Sequence, residues 1–447
     1  MGDVMAFSDL NFIFLFLPIF TLIYVCVKPA FKNFFLLLGN IVFYVYGVIH
    51  QPWQILLFLI LLLVSYLSSH GIQRFHRYKK IILIGDILIL FGSLAYYKYF
   101  NTLPLAMSFY VFQMVAYVVD VYRGEIPADE NFGRYVLTMT LFFKFISGPL
   151  VSHKQMSKQV RHRHYYFSYI DLGLREFILG LCLKVLIANR IGRVWTKITN
   201  TGFESISSPV AWLGLLVFGL QLYFDFYGYS LMAKGVAKML GFYLPDNFNH
   251  PYISRSVSEF YRRWHMTLGQ WFKKYIYFPM GGNRCSKKRL VLNLAVVWAF
   301  TGIWHGSSFN YVLWGLFIGL FVILEKLYLH SFLEKYRIFS HVYVIVIILI
   351  SWLFFAVSDM SKVVIYFQQL FSLSDWIAFT SLDIMRYLKD YGLLILAGII
   401  LATPLPYKIW DQYQRTLVGT LVIFALFWFC VYYLSLGFND PFMYFGF

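Results

Sequence analysis

Two histidines in this sequence have surroundings that suit proton transfer. His305 ends the uncharged run 290–304 and lies in the motif Trp304-His305-Gly306. Burial in such a run lowers the pKa of an imidazole, which stays neutral and can accept a proton near pH 7. A neutral, buried histidine suits a general base that acts on a hydroxyl. A structural histidine bonded to a neighbouring helix is the simpler alternative.

His265 lies in the most basic part of the chain, residues 254–289, where Glu259 is the one acid. At helical periodicity the aromatic and aliphatic side chains of this segment share one face, while Arg255 and Arg262 fall on the opposite face. The pattern predicts one amphipathic helix on a membrane surface. His265 would project from its flank, either as part of a site or as an ordinary interfacial histidine.

Two further features could contribute to a site. The basic helix is expected to end at Pro279, and the Gly-Gly pair of segment 281–284 predicts a tight turn whose N–H groups could hold a phosphate. Asp225 is the only acid in an apolar run, and it either lines a cavity or pairs with a buried Arg or Lys. The four cysteines show no Cys-x-x-Cys spacing, so no metal site is predicted.

The elements that carry these groups are predicted to be membrane helices. Of 447 residues, 60% are hydrophobic and 13% charged, far from the roughly one quarter charged in soluble domains. The apolar runs approach the length of a spanning helix and do not alternate in polarity as β-barrel strands do. We therefore predict an all-α polytopic membrane protein, one domain over 1–447, with eleven to thirteen membrane segments. These segments are 11–27, 34–48, 55–67, 81–97, 107–119, 136–151, 177–188, 210–231, 290–304, 311–324, 342–357, 391–405 and 417–436.

The distribution of charge predicts a topology with one irregularity. The net charge of +17 is expected in cytoplasmic loops and not as a nucleic-acid surface, and the positive-inside rule places the N-terminus outside. If both 107–119 and 136–151 crossed the membrane, the basic stretch 154–163 would lie outside, against the rule. One of them is therefore predicted to be re-entrant or half-crossing, which requires cover by protein or a water-filled cavity. Residues 254–289 then face the cytoplasm and the tail 437–447 lies outside.

The absence of three common motifs disfavours several classes of protein. The chain has no Gly-x-Ser-x-Gly, P-loop or His-Glu-x-x-His motif, which disfavours a serine hydrolase, an ATP-driven pump and a zinc protease. A transporter or scaffold that moves its cargo without covalent chemistry is an alternative, because aromatic-rich helices can line a path. Its activity would not depend on either histidine.

Several motifs together resemble the membrane-bound O-acyltransferase superfamily, and within it the alginate O-acetyltransferase-like branch, over nearly the whole chain. The motifs are Phe14-Leu15-Phe16-Leu17-Pro18, Tyr96-Tyr97-Lys98-Tyr99-Phe100, Val119-Asp120-Val121-Tyr122-Arg123-Gly124, Ser147-Gly148-Pro149, Asn247-Phe248-Asn249-His250-Pro251-Tyr252, Arg262-Arg263-Trp264-His265-Met266-Thr267-Leu268, Pro279-Met280-Gly281-Gly282-Asn283-Arg284 and Trp304-His305-Gly306.

The resemblance implies a ring of helices around a central tunnel. It also implies an enzyme of the bacterial cytoplasmic membrane that moves an acyl group, most often acetyl, from a cytoplasmic donor to a hydroxyl at the outer face. His305, in a helical hairpin over 290–328, corresponds to the catalytic histidine of the family, and His265 occupies the other signature position.

Donor and partners follow as hypotheses from the resemblance and from the basic segment. The donor would be a thioester substrate, acetyl-CoA or an acylated carrier protein, with no tightly bound cofactor. The acceptor would be a surface or exported polysaccharide, served by a separate extracytoplasmic acyltransferase, with membrane lipid around the protein. The candidate donor-binding or tunnel residues are Arg262, Arg263, Trp264, Asn283, Arg284, Trp304 and Asp225.

The sequence departs from the branch at two places. Phe354-Phe355-Ala356-Val357 stands where the branch often has Phe-Phe-Arg-Ala, so the role of that arginine is absent or moved. The aromatic terminus 442–447 holds no Ser or Cys, which leaves Tyr444 as a candidate acyl relay. The rival branch D-alanylates teichoic acid from a loaded carrier protein, and the Gly-Gly-Asn-Arg turn and the alginate-like motifs disfavour it.

Overall fold

The protein is all-α in the part of the chain that the computed structural model describes, residues 6–145, 148–372 and 382–437, and these ranges contain no β-strand. The prediction of an all-α fold is confirmed. The helices are α1 (Leu17–Cys26), α2 (Lys32–Gly47), α3 (Trp53–Arg74), α4 (Lys79–Phe100), α5 (Met107–Tyr122), α6 (Phe132–Thr140), α7 (Phe142–Phe145), α8 (His153–Arg161), α9 (Ser168–Cys182), α10 (Asn189–Thr201), α11 (Ser208–Met239), α12 (Val257–Arg263), α13 (Met266–Phe272), α14 (Lys287–His305), α15 (Phe309–Leu324), α16 (His330–Lys335), α17 (Arg337–Ala356), α18 (Met360–Leu370), α19 (Leu382–Leu401), α20 (Leu405–Tyr413) and α21 (Leu417–Ser435).

Short π-helical turns adjoin several of these helices. Phe12–Phe16 precedes α1, Leu183–Ala188 joins α9 to α10, Lys273–Tyr277 follows α13, and Glu325–Leu329 joins α15 to α16. A π turn changes the face that the following residues present, because it inserts an extra residue into the helical repeat.

Seven helices of the described chain are long and apolar enough to cross a membrane. An eighth span results if α19 and α20, which are bent by 77° at a short break, are counted together. The prediction of a multi-pass membrane protein is confirmed. The seven are Pro29–Gly47, Trp53–Arg74, Lys79–Phe100, Ser208–Met239, Phe309–Lys335, Arg337–Ala356 and Leu417–Ser435.

The count of eleven to thirteen segments exceeds the number of helices able to span. Phe12–Cys26 and α5 are apolar but short, and α5, with 16 residues, measures about 24 Å against a hydrocarbon core of about 30 Å. Residues 107–121 of α5 are all buried within the protein. A helix surrounded by other helices is as apolar as one surrounded by lipid, so the composition of a run does not separate the two cases.

The segment 136–151 is one of the two candidates for a half-crossing helix, and it does not form a single helix. It begins within α6, which ends at Thr140, and Leu141 has the non-helical ψ of 112°. Among the described residues of the segment, the short α7 follows over Phe142–Phe145, and residues 148–151 are not helical. Neither piece reaches the length of a transmembrane helix.

The fold divides into two compact units. Unit 1 comprises Met1–Ile178 and Tyr229–Pro245, and unit 2 comprises Leu179–Gly228 and Asp246–Phe447. The single domain over 1–447 stays a prediction.

A buried ion pair lies within unit 2. The Lys184 ammonium donates to the Asp225 carboxylate over 2.7 Å, and both side chains are almost fully buried. Of the two alternatives that the sequence left open for Asp225, the structure shows pairing with a buried cation. The carboxylate therefore balances a charge inside the fold.

A polar cluster in unit 1 fixes the loop between α5 and α6. The buried Asp129 carboxylate accepts hydrogen bonds from both Nε and Nη2 of the Arg134 side chain and lies 3.3 Å from Nε2 of His153 on α8. The Asp129 backbone N–H donates to the Tyr117 hydroxyl on α5. Burial alone would raise the pKa of the Asp129 carboxyl, but the hydrogen bonds from His153 and Arg134 hold it well below its usual value. The cluster thus joins α5, α6 and α8 through one ionised carboxylate.

We predict that Asp129→Ala lowers the free energy of unfolding by about 2 kcal/mol, because His153 and the Arg134 guanidinium lose their buried acceptor. Thermal unfolding of the purified protein in detergent measures the change. Because the pKa of Asp129 is depressed by folding, its contribution is present at neutral pH and disappears as the pH falls below about 4. Glu130→Ala, at the exposed neighbouring residue, is the control, and equal melting temperatures for the two variants would contradict the assignment.

Candidate active site

The basic segment is folded around a break at Trp264 and His265. Helix α12 ends at Arg263, Trp264 is extended, and His265 has φ 44° and ψ 54° before α13 begins at Met266. The prediction of one amphipathic helix from residue 254 to Pro279, with a turn after it, was therefore wrong about the helix, which is broken at His265. Helical periodicity reports which side chains share a face, and it does not detect a single residue in the left-handed region.

The segment Asn247–Asn249 stabilises this break from outside the helices. The Met266 N–H donates to the Asn247 carbonyl over 2.8 Å, and the Asn249 N–H donates to the Arg263 carbonyl over 2.9 Å. The Asn247 side-chain oxygen accepts from the Thr267 hydroxyl over 2.6 Å. These bonds satisfy polar groups that the ends of α12 and α13 leave without helical partners. The turn at His265 is therefore held by tertiary contacts.

Glu325 holds the other end of α12. This carboxylate is buried, belongs to the π turn after α15, and accepts hydrogen bonds from the backbone N–H groups of Val257 and Ser258. It also accepts from the Ser258 hydroxyl over 2.7 Å. A negative charge at the N-terminus of a helix is favourable, since it meets the unpaired N–H groups of the first turn. Both ends of the seven-residue α12 are thus fixed by groups outside it.

His305 is the last residue of α14, where the helical hairpin of α14 and α15 reaches the site. A Cβ on Gly302 would lie 2.4 Å from the Tyr311 carbonyl oxygen, and one on Gly315 would lie 2.3 Å from the Trp298 carbonyl oxygen. Glycine at these two positions lets the helices pack backbone to backbone. The close packing brings Trp314 of α15 to 4.8 Å from the His305 ring, measured between ring centroids.

His265 and His305 line the same cavity of unit 2. Its volume is about 650 Å³, and its lining includes aromatic and aliphatic side chains. The ring of Trp304 lies 6.2 Å from His265 and 4.6 Å from His305, between centroids. Both histidines are buried, and burial lowers the pKa of His265 to about 3. The His265 imidazole is therefore neutral at pH 7. The other aromatic lining residues include Tyr261, Trp264, Phe272, Trp298 and Trp314.

The opening of the cavity carries positive charge. Four exposed cations line it, and we call them the basic rim: Arg255, Arg262, Lys273 and Lys326. Two of the acids in the lining have partners within the fold, since Glu325 accepts from the first turn of α12 and Glu259 accepts from the Arg263 side chain over 2.9 Å. The third acid, Glu334, is exposed and lies 3.6 Å from the exposed His330. Four rim cations against this one exposed carboxylate leave the opening with an excess of positive charge.

The structure places the predicted site residues in different surroundings. Arg262, Trp264, His265 and His305 line the cavity, and Trp304 packs against both histidines. Within the described ranges, the remaining candidates are not among the lining residues. Arg263 bonds to Glu259 and Asn249, Asp225 pairs with Lys184, and Asn283 and Arg284 lie on an exposed turn.

The exposed turn has its own architecture. Gly281 and Gly282 have φ of 106° and 57°, and the Asn293 side-chain amide donates to the carbonyls of Met280 and Gly282. The glycine pair predicted this turn correctly. Sequence reasoning did not select Asn247, Glu325, Trp298 or Trp314 for the site, although Asn247 belongs to one of the motifs quoted above. Their roles follow from contacts between different segments of the chain.

The chain belongs to the membrane-bound O-acyltransferase family, whose family model matches residues 130–368. It is an acyltransferase that uses an acyl donor as substrate, as the sequence predicted. It is 30% identical over 439 residues to a protein of Azotobacter vinelandii named "Probable alginate O-acetylase AlgI", an alignment that covers 88% of this chain and 85% of the relative.

Two other relatives bear different names. The chain is 30% identical to the peptidoglycan O-acetyltransferase of Helicobacter pylori, over 80% of this chain and 78% of the relative. It is 25% identical to the teichoic acid D-alanyltransferase of Streptococcus thermophilus, over 51% of this chain and 58% of the relative. Similarity to the O-acetylating relatives is thus higher and covers more of the chain.

We predict that Thr267→Val increases hydrogen exchange of the backbone amides at residues 264–268 by about tenfold, because the Asn247 side-chain oxygen loses its donor and the break opens more readily. Hydrogen–deuterium exchange with mass spectrometry measures this. Thr267→Ser keeps the hydroxyl and is the matched control. Protection in Thr267→Val equal to that of the unsubstituted protein would show that the bond does not stabilise the break.

Proposed function

We propose that this acyltransferase moves an acetyl group from a thioester donor to a hydroxyl of a cell-surface or exported polysaccharide, with His305 and His265 as catalytic residues. One observation carries the proposal: two buried histidines share an aromatic cavity whose opening is lined by cations. The relatives named as alginate and peptidoglycan O-acetyltransferases support acetyl as the acyl group and a polysaccharide as the acceptor.

The donor binds at the basic rim in this proposal. Acetyl-CoA and the phosphopantetheine arm of a carrier protein both carry phosphate at one end of the pantetheine arm and the thioester at the other. Arg262 and Lys326 pair with these phosphates, since charge-assisted hydrogen bonds to phosphate are among the stronger polar contacts. The acyl end then extends between the aromatic side chains towards the two histidines. The apolar side chains around the acyl end limit hydrolysis of the thioester by water.

The two histidines divide the chemistry. His305 takes the proton of the acceptor hydroxyl as its oxygen attacks the thioester carbonyl carbon. His265, neutral at pH 7, donates an N–H hydrogen bond to the carbonyl oxygen as negative charge develops there. The new C–O bond forms, the C–S bond breaks, and the departing thiolate receives the proton from His305. Atoms and charges balance without an additional reactant.

The acetyl group reaches the polysaccharide either directly or through a relay residue. In the second case a tyrosine or other hydroxyl of the chain takes the acetyl group, and a separate extracytoplasmic acyltransferase passes it to the polymer. Tyr444, the candidate relay in the terminus, lies outside the described residues. Membrane lipid surrounds the helices in either case.

Two alternatives predict different results. Transfer of D-alanine from a loaded carrier protein has support from the teichoic acid D-alanyltransferase relative, although that match covers about half of the chain. A transporter or scaffold would carry an acyl group or polymer without covalent chemistry and would tolerate loss of both histidines. Mass spectrometry of surface polysaccharide from cells with and without active protein identifies the acyl group that is added.

We predict that His305→Ala lowers acetyl transfer by about a hundred- to ten-thousandfold, the range expected for loss of a general base. His265→Ala should lower kcat more than it raises KM, because a hydrogen bond to the developing oxyanion acts in the transition state. Release of free CoA, with acetyl on the polysaccharide, is measured in membranes with equal protein levels. His76→Ala, at an exposed histidine outside the cavity, is the control, and full activity in His305→Ala would remove His305 from the mechanism.

We predict that Arg262→Gln raises KM for acetyl-CoA by about tenfold at low ionic strength with little change in kcat, because a rim cation contacts the donor away from the reacting atoms. The difference should shrink as salt is added. Lys362→Gln, which removes an exposed charge that does not line the cavity, is the control. Higher activity with a D-alanyl carrier protein than with acetyl-CoA would favour the rival reaction instead.

A further inference from the structure

Unit 1 presents a basic face on α8 that the acyl-transfer site does not use. Lys154, Lys158 and Arg161 are exposed on this helix, while Met156 and Val160 are buried beneath it. The chain contains no Asp or Glu between residues 132 and 170. The positive charge of this face is therefore not offset by acids in the same stretch of the chain.

Contacts place this basic helix at the end of a membrane span. The Asn33 side chain, in the first turns of α2, donates to the Val160 carbonyl over 3.0 Å and accepts from the Arg163 guanidinium over 2.6 Å. Arg163 also donates to the Tyr24 hydroxyl, near the end of α1. Because α2 belongs to the candidate span Pro29–Gly47, the C-terminal end of α8 lies at the level where a bilayer changes from hydrocarbon to headgroups.

Aromatic side chains around the same face are exposed. Phe31 and Phe167 are 61% and 77% exposed, and Tyr166 and Tyr243 are also exposed. The Tyr243 N–H donates to the side chain of Gln159 on α8, over 2.7 Å. Exposed aromatic rings are enriched at the interface between bilayer and water. Cations and aromatics together are thus the composition expected at lipid headgroups.

An apolar groove between α1 and α2 leads to this face. Its volume is about 610 Å³, and its lining includes Leu15, Ile19, Ile23, Leu38 and Val42. From residue 11 to residue 23 the groove measures about 18 Å, comparable with the depth of one leaflet, about 15 Å. Ile23 and Phe35 lie at one end of the groove. In the sequence, Ile23 is next to Tyr24 and Phe35 is two residues from Asn33. The side chains of Tyr24 and Asn33 both accept hydrogen bonds from Arg163. The groove therefore ends beside the basic face.

We propose that unit 1 binds an anionic phospholipid, with one acyl chain in the groove between α1 and α2 and the phosphate beside Lys154, Lys158 and Arg161. The apolar lining accounts for the chain, and the cations select a negatively charged headgroup over a zwitterionic one. This site lies in unit 1 and does not depend on the proposed reaction in the cavity of unit 2.

Native mass spectrometry of the purified full chain tests the headgroup contacts. The protein is titrated in detergent with phosphatidylglycerol or with phosphatidylcholine, and bound lipid is counted. The unsubstituted protein should retain more phosphatidylglycerol. The triple variant K154Q/K158Q/R161Q should retain about tenfold less of it, while K335Q/K362Q/K389Q, which removes the same charge at exposed positions elsewhere, should resemble the unsubstituted protein.

Two adjacent residues of α2 test the groove. Val42 lines it and Ile41 does not, although their exposed fractions are similar, 56% and 50%. Val42→Trp should fill the groove and lower retention of both lipids, whereas Ile41→Trp should leave retention unchanged. Size-exclusion chromatography confirms that the variants fold, and the single variant Lys158→Gln replaces the triple variant if the latter aggregates.

Three outcomes would overturn the proposal. Equal retention of phosphatidylglycerol by the two triple variants would remove the basic face from lipid binding. Displacement of the lipid by inorganic phosphate would show that the site recognises phosphate alone and that the groove does not bind the acyl chain. A loss of dimers in Val42→Trp, with unchanged lipid retention, would show that a second copy of the chain occupies the groove.

Discussion

The left-handed backbone at His265 is the constraint on which the arrangement of the cavity depends. A residue with a Cβ pays about 1 to 2 kcal/mol for this conformation, so it persists only where neighbouring contacts require it. Asn247 and Asn249 supply those contacts on one side, and Glu325 fixes α12 on the other. With α12 held at both ends, His265 lines the same cavity as His305 at the end of α14.

Charge and burial are separated within this site. The cations of the basic rim are exposed, where hydration keeps them charged at little cost and where they can attract an anionic donor over a distance. The interior holds His265 in its neutral form among aromatic rings. A neutral hydrogen-bond donor such as the His265 imidazole interacts more strongly with a developing charge in a region of low dielectric constant than in water. In the proposed reaction, the phosphates of the acyl donor bind at the exposed rim and its thioester reacts in the buried part of the cavity.

The sequence predicted those features that local composition determines. The uncharged run before His305 identified α14, the glycine pair identified the exposed turn, and the apolar runs identified the spans of a multi-pass protein. Composition could not separate the buried α5 from a span, because both are apolar. Periodicity could not reveal the break at His265, since the segment that stabilises it, Asn247–Asn249, acts through hydrogen bonds across the chain.

The buried pair of Lys184 and Asp225 has a consequence for how the protein is made. Lys184 is synthesised 41 residues before Asp225, a delay of about 2 to 8 s at about 5 to 20 residues per second. A charge buried in a protein without a partner is unfavourable. Until α11 is made, Lys184 has no Asp225 carboxylate beside it, so the turn Leu183–Ala188 is expected to reach its final packing only after α11 arrives. A segment made early is thus completed by one made later.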